Sequence, residues 1–294
     1  MAERPEAANC LRRARSYAHA VPHPTQPPDH VLDLFAAEGV LEPLAGGQGT
    51  SWRAGDLVLK PGHDESGAWL APVQARLAVR LDEEVPRSVR LALPVPARDG
   101  SLGVDGWAAT RFEGGTTPCR DLATLRATAH LLHARLASAV PERPAGLDDR
   151  TGQWADAERA AYDPERALRA AADRPEPGLA DLVGELVAGL DPGTLDHGDL
   201  GREQLVHADL SGNVLLDATG VPFVIDFSPS WRSPLWAEAI CVLDAVLWLD
   251  ADDRVLDEWR TGVQRQAMLR AALFRVLSDI PCDVRRYAAL GLAG

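Results

Sequence analysis

The sequence predicts an α+β fold in two lobes: a small, mostly antiparallel sheet with one helix, then a larger and mainly helical part. Three observations lead there. Short apolar segments broken by glycine and aspartate turns run up to Phe112. Gly114-Gly115 then marks a change of character, after which Ala/Leu-rich stretches take on helical period. A polar strand–turn–strand lies late in the chain, around Gln204–Phe227. At 294 residues, 46% hydrophobic and 25% charged, the chain is long enough to bury a sizeable core.

Residues 1–28, rich in Pro, Arg and Ala, read as a flexible tail. Asp29 can cap a short helix whose apolar stripe is Val31, Leu32, Leu34 and Phe35. A glycine-rich turn follows at Leu44–Trp52, and Ala54-Gly55-Asp56 makes a hairpin into Leu57–Lys60. Ala68–Arg80 has helical spacing, with Pro72 marking a first turn or a kink. Val89–Pro96 and Gly106–Phe112 are two further strands. Residues 29–113 thus form one lobe and residues 114–294 the other. The second lobe holds helices at Leu122–Ala139, Leu179–Leu190, Ala237–Leu249 and Asp257–Leu277. No internal repeat is visible.

Several function classes drop out on composition. No apolar run reaches the roughly 18–20 residues of a membrane span, and the N-terminus lacks the apolar core of a signal peptide, so a cytoplasmic protein with no membrane partner is expected. A formal net charge of −13 argues against nucleic acid, which needs a basic face. Residues 1–113 carry 12 basic against 15 acidic side chains, and residues 114–294 carry 18 against 28. That acidic second part suits solubility and is compatible with a cationic substrate. Cys10, Cys119, Cys241 and Cys282 are far apart and read as inert thiols. No protein partner is evident.

All but one of the 30 basic residues are arginine; the exception is Lys60, at the end of a predicted strand. One retained lysine suggests a place where a compact ammonium is wanted and a wide guanidinium would not fit. Ahead of it stands Gly46-Gly-Gln-Gly-Thr-Ser51. The glycines Gly46, Gly47 and Gly49 allow close backbone approach to phosphates, and the hydroxyls of Thr50 and Ser51 can add hydrogen bonds; a plain hairpin is the alternative.

The strongest signal is Leu205-Val-His-Ala-Asp-Leu-Ser-Gly-Asn-Val-Leu215 followed by Phe223-Val-Ile-Asp-Phe227. It puts Asp209, Asn213 and Asp226 on one strand–turn–strand. Phosphoryl transfer needs such a set: a carboxylate that orients the attacking hydroxyl and accepts its proton, and two oxygen ligands for Mg²⁺. His207, on its ordinary pKa, is a competing base.

HADLSGNVLL…VIDF resembles the HxD…N/D motif of the aminoglycoside phosphotransferase-like kinases, within the protein-kinase-like superfamily. The resemblance runs from about Val31 to the end. It implies a bilobal protein-kinase-like fold with ATP and Mg²⁺ as cofactors and a small-molecule hydroxyl as acceptor: an antibiotic, an amino sugar or a metabolite. It makes Asp209 the catalytic base, Asn213 and Asp226 the metal ligands, and His207 a brace for the catalytic loop. Lys60 would contact the nucleotide phosphates behind the Gly46–Ser51 loop. Trp107–Gly114 is similar to the interlobe hinge, which places Arg111 and Phe112 at the adenine. The segments GGQGTSW and DGWAATRFEGG look most like an actinobacterial branch of that family.

Two departures stand out. His197-Gly-Asp-Leu200 spells the family's commoner form, yet Glu203 stands where Asn is needed, so Asp199 is read as a loop residue. The helix at Trp69–Arg80 carries no acidic partner for Lys60, with Glu65 the nearest upstream candidate. A nucleotide-binding pseudokinase is therefore the alternative reading, and a protein kinase ranks last because only Ser228–Pro234 separates Asp226 from the next helix. Trp231 and Trp236 are candidates for an acceptor wall or for core.

Overall fold

The computed structural model describes residues 26–44, 49–62, 68–191 and 200–292. The predicted tail lies outside them up to residue 25. α1 (Asp29–Leu34) starts on an acidic first turn and buries Val31, with Phe35 just beyond. Both pack on a five-stranded antiparallel sheet of order β1-β2-β3-β6-β5, comprising β1 (Leu41–Pro43), β2 (Trp52–Ala54), β3 (Leu57–Pro61), β5 (Pro94–Val95) and β6 (Trp107–Arg111). Alternation along these strands turns Trp52, Ala54, Leu59, Trp107 and Ala109 into one apolar cluster with Val31 and Phe35. α2 (Leu70–Glu83) holds Pro72 in its first turn, where no backbone donor is required, and it presses Leu77, Ala78 and Leu81 into a second cluster.

The single strand expected over Val89–Pro96 is two. β4 (Arg90–Leu91) pairs parallel with β10 (Pro222–Val224), and Ala92 N–H donates to Val224 O at 2.8 Å. β5 pairs antiparallel with β6, through Pro94↔Thr110 and Val95↔Ala109. Pro94 lacks an N–H and sits on the outermost strand of its sheet, where a missing ladder donor is tolerated. The chain therefore steps from one sheet to the other at Ala92–Leu93. The second sheet runs β4-β10-β9-β7, with β9 (Val214–Leu216) and β7 (Thr117–Pro118); a two-stranded pair joins β8 (Gln204–His207) to β11 (Pro229–Arg232).

The rest is helical. α3 (Leu122–Ala139) is capped by Asp121, whose carboxylate accepts from Thr124 N–H at 2.8 Å. α4 (Gln153–Ala161), α5 (Pro164–Ala172) and α6 (Leu179–Ala188) lead to α7 (Pro234–Trp248), α8 (Gly262–Ser278) and α9 (Val284–Ala288). α7 and α8 form the centre of the largest core, where Trp236, Ile240 and Leu243 meet Leu269, Leu273 and Val276. The helix expected from Asp257 starts at Gly262, because residues 253–259 wind as a 3₁₀ helix. Sequence reading passed over α4 and α5, although Asp163 followed by Pro164 is an N-cap and first-turn signal. Cys119, Cys241 and Cys282 are buried and unpaired, as expected of inert thiols. No described helix is long and apolar enough to cross a membrane.

Candidate active site

The antiparallel register of β9 against β10 (Val214↔Val224) sets Asn213 opposite Ile225, whose N–H donates to Asn213 O at 2.9 Å. Asn213 and Asp226 thereby become neighbours at the open end of the hairpin. Asp226 holds φ 55°, a left-handed conformation that non-glycine residues rarely adopt. From β3, Lys60 Nζ reaches Asp226 Oδ2 at 2.6 Å. Lys60 thus finds its carboxylate on the hairpin; α2 contributes Gln74, which donates to Ala92 O at 2.8 Å, and Glu65 lies outside the described residues.

Asp209 sits in the turn after β8. Its N–H donates to His207 Nδ1 at 3.1 Å, and Asn213 Nδ2 donates to both Asp209 O (2.6 Å) and Asp209 Oδ2 (3.1 Å). Ser211 Oγ donates to Cys241 O at 2.9 Å and ties the turn to α7. His207 is completely buried, and burial pushes its pKa down, so the ring is neutral. With Nδ1 accepting, the proton lies on Nε2, 3.4 Å from Ile225 O. His207 braces the turn between the two strands and presents no basic nitrogen to solvent. His133 of α3 supports it from behind, accepting from His207 N–H at 3.1 Å; burial pushes His133 down to about 3.

The second oxygen of Asp209, Oδ1, lies 2.6 Å from Arg275 Nη2 of α8. Arg275 also holds Asp244 of α7, whose Oδ1 accepts from Nε at 2.8 Å and whose Oδ2 accepts from the same Nη2. Burial opposes the charge on Arg275, but the attraction of Asp244 and Asp209 outweighs it and raises its pKa. Burial pushes the Asp244 carboxyl up to about 7, with the same guanidinium working against that rise.

Lys60, Asn213 and Asp226 line a cleft of about 650 Å³ between the five-stranded sheet and the second sheet. Val58, Ala109, Arg111, Phe112 and Glu113 line its sheet side, and Phe112 packs beneath the Arg53 guanidinium at 4.1 Å. Ser51 lines the cleft too; Gly49 (φ 70°) and Thr50 do not, and Gly46 and Gly47 lie outside the described residues. The same holds for the His197-Gly-Asp199 segment. Asp209 adjoins the cleft through Asn213, its side chain about one-third exposed. Trp236 is 0% exposed, packed edge-on to Tyr162 and Phe274, and so belongs to the core and not to an acceptor wall. Trp231 packs against the second cluster. The tryptophan that does line the cleft is Trp154 of α4, near Arg150, Phe227 and Pro229. Sequence reading missed Trp154, Arg150 and Arg275. Only Arg275 left a signal, as a charge inside the apolar run AALFRVLS, matched by Asp244 inside ICVLDAVLW.

No family model matches the sequence, and no curated protein does. Among solved structures, an aminoglycoside phosphotransferase from Alicyclobacillus acidocaldarius is similar at TM-score 0.52 and 15% identity, over 91% of this chain and 92% of that one. A choline kinase from Streptococcus pneumoniae is similar at TM-score 0.52 and 13% identity, over 87% and 93%. A protein assigned as a fructosamine-3-kinase from Thermobifida fusca is similar at TM-score 0.50 and 21% identity, over 90% and 96%. At such identities the likeness establishes architecture. The fold is the one that these kinases share.

Proposed function

We propose that the protein transfers the γ-phosphate of ATP to a hydroxyl of a small molecule. The observation that carries this reading is the meeting of Lys60, Asn213 and Asp226 at the edge of the cleft, with Asp209 hydrogen-bonded to Asn213. A cleft of that size suits a nucleotide. Lys60 and Ser51 bind phosphates, and the backbone around Arg111 and Phe112 takes the adenine. The donor set fits a hard cation: Asn213 and Asp226 offer oxygens, and a left-handed backbone holds Asp226 beside Lys60. Mg²⁺ held by Asn213 and Asp226 would neutralise phosphate charge. Asp209 orients the acceptor hydroxyl and takes its proton as the oxygen bonds to the γ-phosphorus and the bridging oxygen departs with ADP. In this reading residues 29–113, apart from β4, form the nucleotide lobe and residues 114–294 the catalytic lobe, in a cytoplasmic protein. Candidate acceptors are an antibiotic, an amino sugar or a metabolite. The resemblance of GGQGTSW and DGWAATRFEGG is what supports assigning the chain, within this proposal, to an actinobacterial branch of aminoglycoside phosphotransferase-like kinases.

The test is Mg·ATP binding and turnover by wild type and Asp209→Asn against pooled hydroxylated antibiotics and metabolites. Turnover that the variant abolishes while it still binds ATP is the expected result. ATP binding with no turnover on any pool favours the pseudokinase, and no nucleotide binding overturns the reading of the site. A protein kinase fits less well, since β11 occupies the stretch where an activation segment would lie.

A further inference from the structure

We propose that Arg275 is the positioning residue for Asp209, and that Asp244 in turn fixes Arg275. The inference rests on the phosphotransfer reading above and adds a residue that no motif in the sequence marks. Its basis is geometric. Arg275 is 2% exposed and Asp244 0%, so neither is a surface charge that happened to find a partner. Asp244 engages two faces of the guanidinium fork, through Nε and Nη2, which fixes its plane. Nη2 is thereby turned toward Asp209 Oδ1 at 2.6 Å. Three rings complete the enclosure, with the guanidinium carbon 5.7 Å from the Trp154 ring centre, 5.6 Å from Trp248 and 5.1 Å from Phe274. A buried ion cluster is costly to assemble and is no efficient route to stability, because apolar residues of equal volume pack as well. One directed at a half-open carboxylate beside the cleft has an evident use. The carboxylate itself is held at two points, Oδ1 by Arg275 at 2.6 Å and Oδ2 by Asn213 Nδ2 at 3.1 Å, so the two together set its rotation and Arg275 supplies the shorter, charged hold. Asp209 Oδ2, which accepts only the longer hydrogen bond from Asn213, then stands as the oxygen that receives the incoming hydroxyl.

The test uses the full-length protein and Mg·ATP, reading ADP release with water or the pooled acceptors as receiver. Asp209→Asn is the reference. The variant is Arg275→Met combined with Asp244→Leu, which replaces the buried pair by apolar side chains and leaves only Asp209, one-third exposed to water, without its cation. Expected is a cooperative melt, a KM for Mg·ATP within about threefold of wild type, and kcat lowered by about a hundredfold. Arg275→Lys keeps a buried cation but cannot span both carboxylates, and an intermediate kcat at unchanged KM is expected. A double variant with wild-type kcat, while Asp209→Asn is inactive, overturns the positioning role and leaves the phosphotransfer reading intact. Should the double variant not fold, a lysine variant with wild-type kcat overturns it equally. Full turnover by Asp209→Asn, or none by wild type, removes the phosphotransfer reading and this inference together.

Discussion

Lys60 Nζ lies 2.6 Å from Asp226 Oδ2, joining the end of β3 to a residue two beyond β10. The pair spans the two sheets, and each side chain keeps a quarter or more of its exposure. Screening at such exposure leaves little stability in the contact. Under the proposed phosphotransfer reading, its value is placement of a cation beside the phosphates.

Lys60→Met is accordingly expected to raise the KM for Mg·ATP about tenfold to a hundredfold, the weight of one or two charge-assisted hydrogen bonds, with almost no change in melting temperature. Lys60→Arg should not restore it, because the planar fork cannot occupy the site of a compact ammonium. Initial-rate kinetics beside a thermal melt checks both.

Two tryptophans should behave oppositely. Trp236→Ala empties a fully buried site between Tyr162 and Phe274 and should cost about 3–5 kcal/mol in denaturant unfolding. Trp154→Ala removes a ring 41% exposed on the cleft wall. It should cost under about 1 kcal/mol, yet raise the acceptor KM about threefold to tenfold.

The stability that His133 contributes should fall as pH drops from 7 to 5. His133 is neutral in the fold, its pKa pushed from 6.5 to about 3, so the unfolded chain takes up a proton that the folded one refuses. That single group removes about 2 kcal/mol across the interval. The Asp244 carboxyl, raised to about 7, acts in the opposite sense by a similar amount, so the net change is small. Comparing wild type with His133→Gln at both pH values isolates the histidine, since Asp244 titrates in each. The variant should gain stability relative to wild type as pH drops across the interval, and equal changes would contradict it.

Gly55 turns the β2–β3 hairpin at φ 57°, and a Cβ there would stand 2.7 Å from Glu38 O. Gly100, at φ 84°, has nothing within 4 Å. Gly55→Ala should cost about 2–3 kcal/mol, against about 1 kcal/mol for Gly100→Ala. Paired denaturant titrations give the comparison.

The parts of the site legible in the sequence are those whose chemistry is local. Asp209, Asn213 and Asp226 fall on one hairpin, so a linear string of residues already brings them together, and the lone lysine marked itself by composition. Asp244 and Arg275 come from two helices, and only the packing of α7 on α8 puts them against Asp209. The division of Val89–Pro96 was hidden for a related reason. Strand propensity says that a segment pairs, but not with which sheet, and the partner here lies some 130 residues further on. The tryptophans could not be sorted in the sequence because an indole reads alike in a core and on a wall; burial of Trp236 and exposure of Trp154 follow from helix orientation.

The parallel pairing of β4 with β10 has a consequence for anyone dividing the chain. A piece beginning at residue 114 would keep β7, β9 and β10 but lose Arg90–Ala92, and with them the donor that satisfies Val224 O. One flank of β10 would then be a bare strand edge, open to any extended chain in solution. Expressed separately, the second half would self-associate along that edge, and the first half would have to be supplied alongside it to keep it monomeric.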